Sequence, residues 1–318
     1  MLDHLLLPLD GSQLAECVLP HAYALAQAFG AHLTIIRVLG KSTVQDRTHM
    51  IDPVDWHINK AEAQAYLETI VKRFNALGLS AESGLVEGSA AERIIEYAHD
   101  HDIDLVLLSS HGHSGLSGWN ISSIVQKIVL RIQRPVMVVR AYQPASSDIE
   151  KFRYRRLLVP LDGTQRAECV LPWASQLAAK HEAQLLLIHV VRLPDMPRHV
   201  PLTAEEQDLL DQIVERNRVE GIKYLEQVKA HLPAQTETRL LISPRIASAL
   251  HEVTEQEPID LILMSAHCYS ADTHWPYGSE IVSFLAYGNS PLLIMPDVPS
   301  EMLEQSKAQA AAQVYGVR

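Results

Sequence analysis

Apolar positions in the first half of the chain alternate between short runs and helical stripes. The runs Leu5–Leu9, His32–Val38 and Leu105–Ser109 have the length of buried strands, whereas Ala15–Phe29 repeats its apolar residues every three or four positions, as one face of a helix does. Pro20 lies inside this helix and predicts a kink or a split there. The other predicted elements are the helices Lys60–Leu77, Ala90–His101 and Ser122–Arg134 and the strands Ala81–Glu87 and Pro135–Arg140.

The second half of the chain repeats the first. Segment Pro8–Pro20 recurs as Pro160–Pro172 with eleven of thirteen positions identical. The run Leu105–His111 recurs as Leu261–His267 at nearly the same spacing. Self-similarity of this kind marks a duplicated structural unit, so the chain contains two copies of one domain.

Five strands joined by helical crossovers predict a parallel sheet covered on both faces. Right-handed crossovers then give an α/β fold of two tandem, doubly wound, five-stranded domains of the flavodoxin-like or Rossmann-like, nucleotide-binding type. The second half has a longer helix, Thr203–Leu232, and whether Gly221 breaks it is left open. The predicted boundaries are a first domain at 1–141, a linker at 142–153, a second domain at 154–297 and a tail at 298–318.

Composition and charge exclude several classes of function. Hydrophobic residues make up 47% and charged residues 20%, as in a globular protein, and the net charge of -11 argues against binding nucleic acid or an anionic membrane. No apolar stretch approaches the ~18 residues of a membrane helix, and the apolar run at the start is too short for a signal peptide. The three cysteines are too scattered for a disulfide framework. We therefore expect a cytoplasmic protein.

The predicted ligand site lies beyond the carboxyl ends of the strands, where open α/β sheets bind ligands. Two segments of each half reach it: the turn that begins at Asp10 or Asp162, and the loop 109–123 or 265–279. The first loop is rich in Gly and Ser and leads into a helix, whose free amides attract anions. It contains no Lys or Arg, so backbone amides would have to hold a phosphate, at roughly 0.3–2 kcal/mol per charge. The alternative is a surface loop that ends in a serine N-cap.

At these residues the chain resembles the universal stress protein family, and in particular its tandem-domain members. The family's opening strand, Asp-Gly-Ser turn and Ala-rich helix match Leu6–Ala26 and Leu158–Ala178. ATP-binding members carry Gly-x2-Gly-x9-Gly-[Ser/Thr] after the fourth strand. The matching residues are Ser109, Gly112, Ser122 and Ser123 in the first half and Ser265, Cys268, Gly278 and Ser279 in the second. Each half therefore departs from the motif at some of its glycines.

The resemblance implies binding of ATP or a related adenine nucleotide, with Mg2+ or Mn2+ held by the phosphates and no metal site formed by side chains. The implied nucleotide contacts are Pro8, Leu9, Asp10, Val38, Ser109, Gly112, Ser122 and Ser123 in the first half, and Pro160, Leu161, Asp162, Val190, Ser265, Gly278 and Ser279 in the second. The aspartates and valines would contact adenine and ribose, and the serines and glycines the phosphates. Glu280 places a negative charge near the second set, which favours the first half.

The predicted function is a role in the stress response with at most slow ATP hydrolysis, because neither a P-loop nor a nucleophile–base–orienter set is present. The alternative is a scaffold of the same fold that binds no nucleotide and acts through protein–protein contacts. Family members pair through the last strand. The resemblance therefore implies that Pro135–Arg140 and Pro291–Pro296 dock the two domains onto each other, and a further homodimer is left open.

Each candidate residue also has a structural interpretation. Asp10 and Asp162 could cap their Asp-Gly turns. His111 and His267 are expected to hydrogen-bond their loops rather than a ligand. Cys17 and Cys169 are interpreted as small core residues, while Cys268 in the candidate loop is a candidate reactive thiol.

Overall fold

The computed structural model describes residues 2–40, 53–113, 115, 121–142, 148–194, 203–233, 235–267 and 276–297. The chain divides into two compact units, Met1–Arg153 with Pro291–Leu293 and Tyr154–Ser290 with the residues from Ile294 on. Each unit is built on a parallel sheet with intervening helices, so the predicted fold class is confirmed. None of the described helices is long and apolar enough to cross a membrane.

The first domain follows the predicted alternation of strands and helices. Its elements are β1 (His4–Pro8), a 3-10 turn (Ala15–Val18), α1 (Leu19–Phe29), β2 (His32–Leu39), α2 (Pro53–Ala76), β3 (Ala81–Glu87), α3 (Ala90–Asp100), β4 (Leu105–Ser109), α4 (Ser123–Arg131) and β5 (Val136–Val139). The strand order is β3-β2-β1-β4-β5, and all pairs are parallel. The chain moves outward from β1 to β3 and then returns to β4 on the other side of β1. Strand order therefore reverses between β1 and β4, which opens a crevice at their carboxyl ends.

The second domain repeats this topology. Its elements are β6 (Arg156–Pro160), α5 (Gln165–Glu168), α6 (Leu171–His181), β7 (Gln184–Arg192), α7 (Ala204–Lys229), β8 (Thr236–Ser243), α8 (Ile246–Gln256), β9 (Leu261–Ser265), α9 (Ser279–Tyr287) and β10 (Leu292–Met295). Within this domain the strand order is β10-β9-β6-β7-β8. The equivalent crevice lies between β6 and β9.

Proline splits the first helix of each domain, as predicted. In the first domain a 3-10 turn ends at Val18, and α1 begins at Leu19 with Pro20 in its first turn. Proline is tolerated there because its missing N–H would have no partner inside the helix. Pro172 has the same place in α6. The helix predicted to begin at Lys60 begins at Pro53 instead, since its exposed first turns carry no apolar stripe to reveal them.

Helix α7 passes through Gly221 without a break, so the question left open by the sequence is answered in favour of a continuous helix. Gly221 is buried where the helix packs on strands β7 and β8. A Cβ at this position would lie 2.7 Å from Leu240 Cδ1 and 2.9 Å from His189 Cδ2. Glycine therefore serves close helix–sheet packing and does not end the helix.

Gly221→Val is expected to lower the free energy of unfolding by about 1–3 kcal/mol, because the added carbons overlap His189 and Leu240. Helix propensity alone predicts a small gain from replacing glycine. Urea denaturation of this variant, beside Glu220→Val at the exposed neighbouring position, separates the two effects. A Gly221→Val protein as stable as the wild type would contradict the packing argument.

Candidate functional site

A cleft of about 300 Å³ opens at the carboxyl ends of β1 and β4 in the first domain. Its lining contains the predicted residues Pro8, Leu9, Asp10, Val38, Ser109, Gly112 and Ser122. Apolar side chains from the neighbouring elements complete it, namely Ala15, Ile36, Ala90, Ile94, Leu108, Ile124, Val125 and Ile128. The volume lies at the lower end of the range for small-molecule sites, roughly 300–1,000 Å³. Ser123 is exposed beside the cleft and is not part of its lining.

Asp10 organises the rim of the cleft. Its Oδ1 accepts hydrogen bonds from Ser12 N (2.9 Å) and Ser12 Oγ (2.6 Å), and its Oδ2 accepts one from His113 N (2.5 Å). Burial raises the pKa of Asp10, but the hydrogen bonds from Ser12 and His113 outweigh it and hold the pKa below its ordinary value. The carboxylate therefore stays charged at neutral pH and joins the turn after β1 to the loop after β4.

Gly112 makes this junction possible. A Cβ at Gly112 would lie 2.1 Å from Asp10 Oδ2 and 3.0 Å from Asp10 Cγ, far inside van der Waals contact. The backbone of Gly112 does not adopt a positive φ. The requirement for glycine therefore comes from the approach of the carboxylate and not from backbone conformation.

Ser109 fixes the start of the same loop. Its Oγ lies 2.6 Å from His111 O and 2.9 Å from Leu14 O, and it accepts a hydrogen bond from Cys17 Sγ at 3.3 Å. The hydroxyl proton is thus engaged by main-chain carbonyls around the cleft. Cys17 is buried, as predicted for a core residue, and burial raises the pKa of its thiol to about 11.

The amino terminus of helix α4 forms one side of the cleft. Ser122 is its N-cap, with Oγ accepting from Val125 N at 3.3 Å. The first intrahelical hydrogen bond runs from Gln126 N to Ser122 O (2.9 Å), so the amides of Ser123 and Ile124 have no partner inside the helix. Ser122 has φ -70 and ψ 158, an ordinary extended conformation. Serine in place of the motif's glycine therefore causes no backbone strain here.

The second domain reproduces the aspartate turn. Asp162 Oδ1 accepts from Thr164 N (2.8 Å) and Thr164 Oγ1 (2.7 Å). Ser265 Oγ donates to His267 O at 3.1 Å, as Ser109 does to His111. Cys169 hydrogen-bonds Ser265, and burial raises its pKa to about 11. Pro160, Leu161 and Val190 occupy the positions equivalent to Pro8, Leu9 and Val38, whereas Cys268 lies outside the described residues.

The amino terminus of α9 differs from that of α4 in its charge. Gly278 is the N-cap, and Ser279 Oγ donates to Glu280 Oε2 at 3.0 Å. The same carboxylate oxygen lies 3.6 Å from the position that a Cβ on Gly278 would occupy. A negative charge thus already covers this helix terminus. In α4 the equivalent residue is Ile124, which is uncharged and faces the cleft.

The two-domain plan and these loops match one known family. The profile of the universal stress protein family matches residues 1–140 and, a second time, residues 153–296. The chain belongs to the universal stress protein family. Its resemblance at the Asp-Gly turns and the loops after β4 and β9 is thereby confirmed.

Individual universal stress proteins match one half of the chain at a time. MJ0577 of Methanocaldococcus jannaschii is 23% identical over 155 residues, which span 44% of this chain and 96% of the relative. YxiE of Bacillus subtilis is 27% identical over 149 residues, 44% of this chain and all of the relative. A crystal structure of a universal stress protein from Archaeoglobus fulgidus covers both halves. Its TM-score is 0.63 at 18% identity over 93% of this chain and 99% of that one, so it shows the shared fold.

The two loop histidines of this universal stress protein are buried, and His111 is also part of the cleft lining. His111 is buried, with Nδ1 lying 3.2 Å from Ser110 Oγ. His267 is buried as well and pairs through Nδ1 with Asp297 Oδ2 at 2.6 Å. His111 thus contacts a side chain of its own strand–loop junction, whereas the partner of His267 lies after β10 and not in the loop.

Three contacts near the site were not predicted from the sequence. The amide of His113 donates to Asp10, although the two residues lie on different loops. Tyr66 on α2 donates to Glu16 Oε1 at 3.1 Å and thereby attaches this helix to the segment after β1. The second domain repeats that contact, since Tyr224 donates to Glu168 Oε1 at 2.9 Å. In the sequence, these two tyrosine–glutamate contacts are indicated only by the recurrence of Glu16 as Glu168 within the repeated segment.

Proposed function

We propose that the first domain binds ATP or a related adenine nucleotide in the cleft between β1 and β4. The observation that carries this proposal is the combination, in one cleft, of an apolar lining and a helix terminus whose first amides have no partner inside the helix. The apolar side chains suit a purine base, and the amides of Ser123 and Ile124 suit a phosphate. A role of this nucleotide site in the stress response is part of the same proposal.

The phosphates would be held without a Lys or Arg side chain, because the described residues that line the cleft include neither type, although they include His111 and His113. Helix termini stabilise an anion by roughly 0.3–2 kcal/mol, and a divalent ion on the phosphates would reduce their charge further. Asp10 already accepts three hydrogen bonds from the protein, which hold its carboxylate in the rim of the cleft, so the proposal places the divalent ion on the nucleotide phosphates.

We propose one nucleotide per chain, bound by the first domain. The Glu280 carboxylate at the start of α9 would repel a phosphate in the second domain and already accepts the Ser279 hydroxyl. The residues implied there (Pro160, Leu161, Asp162, Val190, Ser265, Gly278 and Ser279) retain the fold of the loop around that charge. In this proposal they form a related surface that binds no nucleotide.

Equilibrium unfolding with and without Mg-ATP tests the proposal. Nucleotide at about 100 times its Kd should add roughly 2.7 kcal/mol to the free energy of unfolding of the domain that binds it. Titration calorimetry should give one site per chain. No stabilisation at millimolar Mg-ATP would instead favour the scaffold that acts through protein–protein contacts, and phosphate release of many turnovers per second would favour an enzyme.

The domain boundaries 1–141 and 154–297 and the docking of the two domains through their last strands, β5 and β10, remain predictions. So does a homodimer.

A further inference from the structure

Two histidines and a glutamate meet at the edge of the first sheet opposite the nucleotide cleft. His4, His32 and Glu82 lie at the amino ends of β1, β2 and β3, and one ligating atom from each falls within 4.8 Å of the other two. His32 Nε2 is 3.5 Å from Glu82 Oε1. The rings of His4 and His32 are 5.2 Å apart. Two imidazoles and a carboxylate form a ligand set typical of Zn2+.

Surrounding oxygens orient both imidazoles towards this common point. His32 Nδ1 lies 2.9 Å from Ser80 Oγ, which leaves its Nε2 facing Glu82. The His4 ring hydrogen-bonds the main chain of His101. Its Nε2 lies 2.7 Å from Thr34 Oγ1, and Zn2+ would replace Thr34 as the partner of that nitrogen. Zinc-binding histidines are commonly held with the second ring nitrogen fixed by an oxygen.

The second domain places a cation at the equivalent position. His4 lies opposite His32 in the β1–β2 ladder as Arg156 lies opposite Gln184 in the β6–β7 ladder. Arg156 Nη1 donates to Gln184 Oε1 at 2.6 Å, and Nη2 donates to Glu237 Oε2 at 2.9 Å. The two glutamates also occupy equivalent positions. Glu82 lies opposite Thr34, and Glu237 lies opposite Leu186, the counterpart of Thr34 in the second domain. The second domain thus pairs its glutamate with an arginine at this position. The first domain has only potential metal ligands there.

We propose that His4, His32 and Glu82 form a Zn2+ site that links the amino ends of β1, β2 and β3. Tetrahedral zinc with Zn–N distances of about 2.0–2.1 Å places its ligand atoms roughly 3.3 Å apart, so the three side chains must close by up to about 1.5 Å. Glu82 can do so because 59% of its side chain is exposed. Water takes the fourth position, and the Thr34 hydroxyl, 3.0 Å from Glu82 Oε1, orients the carboxylate.

The double variant His4→Arg/His32→Gln tests the site with the residues that the second domain already uses. The arginine introduced on β1 can pair with Glu82 as Arg156 pairs with Glu237, so the second domain shows that the fold accommodates this arrangement. Metal-free full-length protein is titrated with Zn2+ against a chromogenic chelator. We expect the wild type to bind one more equivalent of Zn2+ than the double variant, or to bind that equivalent at least about 100-fold more tightly.

Two further variants make the result decisive. Glu82→Gln keeps both imidazoles and should weaken Zn2+ binding by at least about tenfold, and it replaces the double variant should that protein fail to fold. His57→Gln removes an exposed histidine on α2 and should leave binding unchanged. Co2+ bound to the wild type should give tetrahedral visible bands that the double variant lacks. Equal Zn2+ stoichiometry and affinity in the wild type and these site variants would overturn the proposal.

Discussion

Ile124→Glu is expected to weaken Mg-ATP binding by at least about a hundredfold. Ile124 lies in the first turn of α4 and lines the cleft, so a carboxylate there would face the phosphates at the helix terminus. One pair of like charges about 5–6 Å apart costs roughly 3 kcal/mol at an effective dielectric constant of 20. Titration calorimetry or the nucleotide-induced shift in unfolding measures the loss.

Ile124→Gln is the matched control, because it has nearly the size of glutamate without the charge. The position is 46% exposed, so neither side chain should disturb the fold. Glutamate in the first turn should even stabilise the helix slightly. Retained affinity in Ile124→Glu would place the phosphates elsewhere, whereas equal losses in both variants would assign the effect to shape and not to charge. The reciprocal Glu280→Ile variant asks whether the second domain gains binding.

Gly112→Ala is expected to destabilise the first domain by about 2–3 kcal/mol and to abolish nucleotide binding. The added Cβ falls 2.1 Å from Asp10 Oδ2 and must expel the carboxylate from its hydrogen bonds with Ser12 and His113. Hydrogen bonds to a charged group contribute about 1.5–3 kcal/mol each, so partial loss of the set gives this magnitude. Urea denaturation measures the stability, and calorimetry measures the binding.

An Asp10→Ala background separates this clash from other effects of the substitution. Without the carboxylate, an alanine in place of Gly112 has no oxygen to displace, and its added cost should fall below about 1 kcal/mol. The double-mutant cycle should then give a coupling energy of more than about 1 kcal/mol between the two positions. Additive effects would mean that Gly112 is required for a reason unrelated to Asp10.

Much of the fold could be predicted because the signals are local and occur twice. The strands are short apolar runs, and Pro20 and Pro172 mark the same split at equivalent positions. The role of Gly221 could not be read in this way. Its neighbours His189 and Leu240 belong to two strands that the helix packs against, and a glycine in a helical pattern looks the same whether it breaks the helix or lets it approach a sheet.

The location of the site could be predicted from the sequence. The distances and backbone conformations within it were less predictable. The turn at Asp10 and the loop at Gly112 were correctly expected at one edge of the sheet, since parallel strands bring their carboxyl ends together. The need for glycine at position 112 depends on its distance from Asp10 on a separate loop, and the lack of strain at Ser122 depends on its own backbone angles. The cluster of His4, His32 and Glu82 could not be predicted from the sequence, because each residue comes from a different strand.

The buried Cys17 and the half-buried Cys169 have a practical consequence for labelling this protein. Burial raises the pKa of both thiols to about 11, so the reactive thiolate is strongly disfavoured at neutral pH. Alkylating reagents should therefore leave Cys17 and Cys169 intact while the chain stays folded. In a Cys268→Ser background, a single cysteine introduced on the surface would carry a fluorophore or a crosslinker selectively, without redesign of the interior.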